Sequence, residues 1–215
     1  SIADIVVGIN AGQILVQEGW MGPFALEPLK NEDGSYVKDA DGNIQYPEFT
    51  EEEYRVALAS NPNLAGYDID DLMRYYWDCF FTEEDFRIIK EDLKLNAIRL
   101  PFYWRNILND DYSLRSEEEA FEYLDWILSQ AAGHGLYVLL DLHGAPGSQN
   151  GYEHSGAAER RADLWTSQEN RDATLALWQF ISRHYTQTRP DLGAWIASYD
   201  LMNEPTYEYK AITTR

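Results

Sequence analysis

Four apolar runs of this 215-residue chain each end in side chains that can do chemistry. The first, 5–10 (IVVGIN), ends at Asn10, and the second, 97–102 (AIRLPF), carries Arg99. The third, 136–143 (LYVLLDLH), carries Asp141 and His143, and the fourth, 196–204 (IASYDLMNE), ends at Asn203 and Glu204. Carboxyl, imidazole and guanidinium groups are the side chains of proton transfer and charge stabilisation. A buried apolar run has little reason to finish in all three unless they share a site. Taken alone, Glu204 between Asn203 and Pro205 reads equally as a helix-start acid or a surface carboxylate. His143 alone reads as a satisfied structural histidine, and Arg99 as the partner of a buried acid.

The elements that must position these residues form a βα series. Short apolar runs without clean alternation read as parallel strands covered on both faces. Between the second and third runs, SEEEAFEYLDWILSQAAGHG has acids in its first turn, apolar residues at Phe121, Leu124, Leu128 and Ala131, and glycines at its end, which predicts a helix. TEEDFRIIKEDLKLN predicts another, with Thr82 as N-cap, Asp85 three residues on, and Phe86, Ile89 and Leu93 along one stripe. A third is expected over about 170–185, with Thr174, Trp178, Ile181 and Tyr185 on one face. The fold class expected is therefore α/β, and if the strands belong to a βα barrel their C-terminal ends form one functional face.

Residues 20–80 interrupt the series and read as a hairpin or an insertion after the first strand, within a single domain spanning 1–215. The DADGN stretch there invites a calcium-loop reading. A loop starting at Asp39 would need glycine at its sixth position and glutamate at its twelfth, where Ile44 and Thr50 stand, so a plain turn at Asp41-Gly42 is expected. His134, His154 and His184 have no comparable context and are read as surface or cap residues.

Composition narrows the function classes. Lys plus Arg number 17 against 37 Asp plus Glu, a formal net charge of −20, which speaks against nucleic acid or an anionic membrane as a partner. Apolar residues make up 45% of the chain, enough for a packed core. No apolar run approaches the length of a membrane span, and the first residues lack the basic head and apolar stretch of a secretion signal, although a removed signal fits equally well. One cysteine, Cys79, excludes an intrachain disulfide and a thiolate zinc cluster. No metal or cofactor is expected. A nucleotide site finds no support, since neither GxGxxG after the first strand nor GxxxxGK[ST] occurs.

The motifs also resemble a known family. Asn203-Glu204-Pro205 closing a fourth strand, Arg99-Leu100-Pro101 in a second and Asp141-Leu142-His143 in a third resemble glycoside hydrolase family 5, whose members are (β/α)₈ barrels of the TIM type. The stretch 141–151, DLHGAPGSQNG, is similar to the branch holding exo-β-1,3-glucanases and related cellulases. The resemblance implies a hydrolase of β-linked glucan, of β-1,4 or β-1,3 type, with Glu204 as general acid/base. Asn203 would hydrogen-bond the sugar 2-hydroxyl, His143 a hydroxyl in the tightest subsite, and Arg99 would orient and keep ionised the attacking carboxylate. Tyr103 and Trp104 would present ring faces to pyranoses.

Against the family pattern, the chain stops ten residues after Pro205, and the nucleophile glutamate belongs on a seventh strand. The expectation is thus a half-barrel of about four strands, with two exposed edges and weak hydrolysis at best. A homodimer in which two half-barrels cover each other is expected from those edges. A carbohydrate-binding half-barrel that holds sugar without cutting it is the rival reading.

Overall fold

The computed structural model describes residues 6–19, 28–47 and 49–206. Four parallel strands form one sheet in chain order: β1 (Gly8–Asn10), β2 (Ala97–Tyr103), β3 (Tyr137–Gly144) and β4 (Ile196–Asp200). Register sets Asn10 beside Arg99, Pro101 beside Asp141 and Asp141 beside Asp200, so the polar strand ends arrive together. Sequential parallel order requires a crossover between every pair, which is what the intervening helices provide.

Among the described residues six α-helices flank the sheet: α1 (Glu51–Ser60), α2 (Ile69–Phe80), α3 (Glu83–Arg87), α4 (Glu117–Gly133), α5 (Gln168–Arg183) and α6 (Pro190–Gly193). α4 begins with a capping box between Ser116 and Glu119 and buries Phe121, Leu124, Ile127, Leu128 and Ala131. These side chains join Leu100, Phe102, Val138, Leu140 and Leu142 from β2 and β3, and Leu177 and Ile181 from α5, in the main core. In α5 the expected face holds: Thr174, Ile181 and the following Tyr185 are buried, with Trp178 partly buried.

Several expectations need correction. α3 carries the predicted capping box, and Phe86 and Ile89 are buried, but Leu93 is 50% exposed. The helix passes into a π turn at Ile88–Asp92, and the extra residue per turn swings Leu93 off the stripe. The fourth run leaves the sheet after Asp200, and Leu201 is 62% exposed, because nothing pairs with the outer edge of β4 among the described residues. β1 is an edge too, with Val6, Val7 and Ile9 exposed. His184, expected as a surface or cap residue, is the C-cap of α5 but is buried rather than at the surface: its ring stacks on Phe121, Nδ1 lies 2.8 Å from Glu117 and Nε2 3.0 Å from Asp125.

The 20–80 region contains the two helices α1 and α2, which the sequence reading did not resolve. Ahead of them, isolated antiparallel bridges pair Lys30 with Tyr36 and Lys38 with Ile44. The Asp41-Gly42 turn is present: Gly42 sits at φ +88°, and the Asp39 carboxylate accepts from the backbone N–H groups of Asp41 and Asn43. No group of three or more metal-ligating side chains occurs among the described residues. α1 reaches the sheet's C-terminal rim, where Glu51 accepts from Gln17 N–H at 2.7 Å and Glu52 from Ala158 N–H at 2.9 Å. No described helix is long and apolar enough to cross a membrane.

Candidate active site

One guanidinium ties the four strand ends together. Arg99 projects from β2; its Nη1 donates to Asn10 Oδ1 at 2.9 Å at the end of β1, and its Nη2 to Asn203 Oδ1 at 2.7 Å beyond β4. The same Nη2 lies 2.8 Å from Asp141 Oδ2 on β3. Asp141 is fully buried, and its Oδ2 meets a guanidinium there in place of water. The planar fork suits this work, since it can meet several acceptors in one plane.

His143 is the second partner of Asp141, with Nδ1 2.7 Å from Oδ2. Its other nitrogen faces Glu18, whose Oε1 is 3.5 Å away. Burial pulls the imidazole pKa down, but hydrogen bonds and charge from Asp141 and Glu18 outweigh it and hold the pKa up at about 9. His143 is therefore an imidazolium at neutral pH, flanked by two buried acids. Glu18 stands outside the sequence expectations: it follows the first strand in a buried, largely apolar segment without a recognisable spacing, and only the fold brings it to a residue 125 positions away.

Asn203 and Glu204 follow β4. Asn203 is buried; its N–H donates to Leu142 O at 3.0 Å, and its carbonyl accepts from Gln149 Nε2 at 2.8 Å. Gln149 also donates to His143 O at 2.7 Å and accepts from Ala145 N–H at 3.1 Å, stapling the β3 loop to the β4 end. Glu204 adopts a left-handed backbone, φ +45°, directly before Pro205. That conformation is disfavoured for a side-chain-bearing residue and further so before proline, a kind of strain that functional sites hold. The Glu204 side chain is 66% exposed at the rim, with Oε2 3.6 Å from His154 Nε2 and its carbonyl bound by Asn150 Nδ2 at 3.1 Å. His154, read from sequence as a surface or cap residue, is thus part of this rim.

The two aromatics assigned to sugar stacking are buried, and Trp104 edges a cavity that holds none of the polar cluster. Tyr103 is 1% and Trp104 3% exposed. The Tyr103 hydroxyl points at Glu52, 3.2 Å away, and its ring fills the space left by Gly144 and Gly156. Trp104 packs against Tyr112 and under Arg105. The strand bulge between Phe102 and Tyr103 ends the alternation that a sequence reading would extrapolate. The exposed ring beside Glu204 is instead Tyr152, stacked on His154. A cavity of about 940 Å³ lies between α1 and the loop after β2, lined by Glu52, Arg105, Tyr112 and Asp163 among others. It contains none of Arg99, His143, Asn203 or Glu204.

Comparison with known proteins agrees with this geometry. The model of the cellulase family (glycosyl hydrolase family 5) matches residues 51–213. A β-xylosidase of Phanerodontia chrysosporium is 36% identical over 160 residues, covering 74% of this chain and 32% of the relative. Glucan 1,3-β-glucosidase 2 of Wickerhamomyces anomalus is 30% identical over 204 residues, 94% of this chain and 42% of the relative. Among solved structures, rutinosidase from Aspergillus niger superposes with a TM-score of 0.65 at 15% identity, covering 95% of this chain and 50% of that one. The chain spans half or less of the length of these proteins, and its four parallel strands correspond to part of a barrel. The sheet order, the strand-end cluster and the extent of the family match together make this chain a member of glycosyl hydrolase family 5.

Proposed function

We propose that the protein hydrolyses β-linked glucan, with Glu204 as the general acid/base. The observation that carries this reading is the Arg99 network, which gathers Asp141, His143 and Asn203 at the rim where Glu204 is the next residue. With its Oδ1 engaged by Arg99, Asn203 keeps its Nδ2–H donors for the sugar 2-hydroxyl. His143 and Glu18 form a charged pair that can hold further hydroxyls of the same sugar ring. Tyr152, rather than Tyr103 or Trp104, supplies the exposed ring face. Relatives named glucan 1,3-β-glucosidase, matching 93–94% of this chain, favour β-1,3-linked glucan over the β-1,4 type.

In the bond-breaking step the Glu204 carboxyl gives its proton to the glycosidic oxygen as that oxygen leaves with the C1–O electron pair. An attacking carboxylate about 5–5.5 Å away would take C1, and Glu204, now ionised, would deprotonate the water that releases the sugar. The resemblance puts that second carboxylate in the later half of the barrel, next to Arg99. A chain without that carboxylate would bind sugar without cutting it, which is the second reading. Later strands of a full barrel would cover the apolar edges of β1 and β4; the homodimer inferred from those edges is the other cover, and sedimentation distinguishes the two.

The test is Glu204→Gln in the full-length protein, assayed by reducing-end release from laminarin and carboxymethyl cellulose. Loss of at least ~100-fold on the preferred polymer is expected, and unchanged turnover would show that the proton comes from elsewhere.

A further inference from the structure

The direction of the Glu204 side chain is set by the two peptide planes that flank its Cα. The plane before it carries the Asn203 carbonyl, which accepts from Gln149 Nε2 at 2.8 Å. The plane after it joins Glu204 to Pro205 and has no N–H, so the Glu204 carbonyl is its one hydrogen-bonding group. Asn150 Nδ2 donates to that carbonyl at 3.1 Å. Two consecutive side chains of the loop after β3 thus grip two consecutive carbonyls beyond β4. Thr206 N–H donates to Gln149 O at 3.3 Å and closes the grip on the far side of the proline.

Asn150 is 1% exposed, so water does not compete for its amide. Its Oδ1 accepts from Tyr152 N–H at 2.9 Å, which puts the NH₂ group at the other end. One hydrogen of that group faces Glu204 O and the other faces His154 Nε2 at 3.0 Å, so the amide is pinned at all three of its polar positions. Glu204 needs such a hold. At φ +45° its Cβ crowds the following carbonyl, and a side-chain-bearing residue stays there only where its surroundings over-determine it.

We propose that Asn150 is a positioning residue for the acid/base: by anchoring the one hydrogen-bonding group of the proline-linked plane, it keeps Glu204 in the left-handed conformation that places the carboxyl at the rim. This rests on the reading of Glu204 as the proton donor. With both planes fixed, φ and ψ of Glu204 are fixed, and with them the Cα–Cβ direction. Asn150 takes no part in the proton transfer itself. It sets where the carboxyl stands, and because proline supplies no N–H, the same plane has no second donor with which to replace the lost bond.

In the full-length protein Asn150→Asp keeps the size and the acceptor for Tyr152 N–H but sets an oxygen against the Glu204 carbonyl. A misplaced acid matters most when the leaving group needs its proton. The experiment therefore compares kcat/KM on laminarioligosaccharides, whose leaving group is a sugar alkoxide, with that on 2,4-dinitrophenyl β-glucoside, whose leaving group departs unprotonated. A loss of ~10–100-fold is expected on the oligosaccharide, and no more than about a tenth of that factor on the aryl glucoside. KM for the oligosaccharide should stay within about 3-fold, because no sugar contact is removed. Equal losses on both substrates, the mark of a merely structural role, or none on either, would overturn the proposal.

Glu204→Gln in the same assay separates the two levels of argument. If it cleaves the oligosaccharide as fast as the parent, the acid assignment fails, whatever Asn150 does. If it is crippled while Asn150→Asp is not, only the positioning role fails. Should Asn150→Asp not fold, a crystal structure of the unmodified full-length protein decides instead. Glu204 at positive φ with the Asn150 amide nitrogen on its carbonyl is expected, and an extended Glu204, or an Asn150 side chain turned away from it, would overturn the proposal.

Discussion

Asp141 Oδ2 and His143 Nδ1 lie 2.7 Å apart, two residues along one strand, on a side of the sheet where Asp141 has no contact with water. Side chains at i and i+2 share a face of a strand, so this pairing is dictated locally once the strand forms. Arg99 then reaches the same carboxylate oxygen from the neighbouring strand. A single buried oxygen is thus shared by a cation from each of two strands.

The pH dependence follows from the His143 pKa, raised from 6.5 to about 9 in the folded protein. A group whose pKa rises on folding binds its proton more tightly in the folded state. Its contribution to stability is fully present below about pH 6.5 and is lost as pH climbs through about 9. An imidazole NMR titration should find His143 protonated at pH 8, and Asp141→Asn should move its midpoint back toward the ordinary value. A His143 midpoint already near 6.5 in the parent protein would contradict the pairing.

Replacing Arg99 tests the hub. Arg99→Leu leaves Asp141 buried with only His143 to compensate it, at an expected cost of about 3 kcal/mol. Arg99→Lys should recover a minor part, because one ammonium cannot meet Asn10, Asp141 and Asn203 together. Urea unfolding measures both variants, and equal stability of the lysine variant and the parent would show that the fork geometry is immaterial.

Gln149 carries no charge, yet its side chain bonds His143 O, Asn203 O and Ala145 N–H in a buried position. Gln149→Leu keeps the volume and strands all three backbone groups, each costing roughly 1–3 kcal/mol. A loss of at least about 3 kcal/mol is expected, with faster amide exchange at Ala145 as the local signature. A small change in stability with unchanged exchange would mean the staple is dispensable.

Gly144 closes β3 where a Cβ would sit 2.5 Å from Ser155 O and from the Tyr103 ring. Neither neighbour is the loose end of a flexible side chain. Gly144→Ala should therefore push the 153–155 turn away from the sheet, at about 2 kcal/mol and a fall in Tm of roughly 4–8 °C. Since His154 lies in that turn, its ring signals should shift as well, whereas an unshifted His154 would show that the turn yields elsewhere.

Much of the architecture could be read before any coordinates. The runs ending in Arg99, Asp141-His143 and Asn203-Glu204 mark strands whatever their surroundings, because continuous apolar stretches bounded by polar ends bury themselves in a parallel sheet. The helix after Ser116 is equally self-announcing, since its cap, acidic first turn and glycine stop are local signals. The helices at 51–60 and 69–80 escaped notice: α1 buries little beyond a glutamate, so its pattern resembles a solvated stretch.

What the sequence determined by itself was which side chains reach the ends of the strands, for that depends on spacing within about ten residues. Only the tertiary structure decided who faces whom there. It sank Tyr103 and Trp104 into the core, brought Glu18 to His143 and His154 to Glu204, and made Gln149 the link between two loops. Those relations join residues tens of positions apart, and sheet register together with loop packing sets them; no local periodicity encodes either.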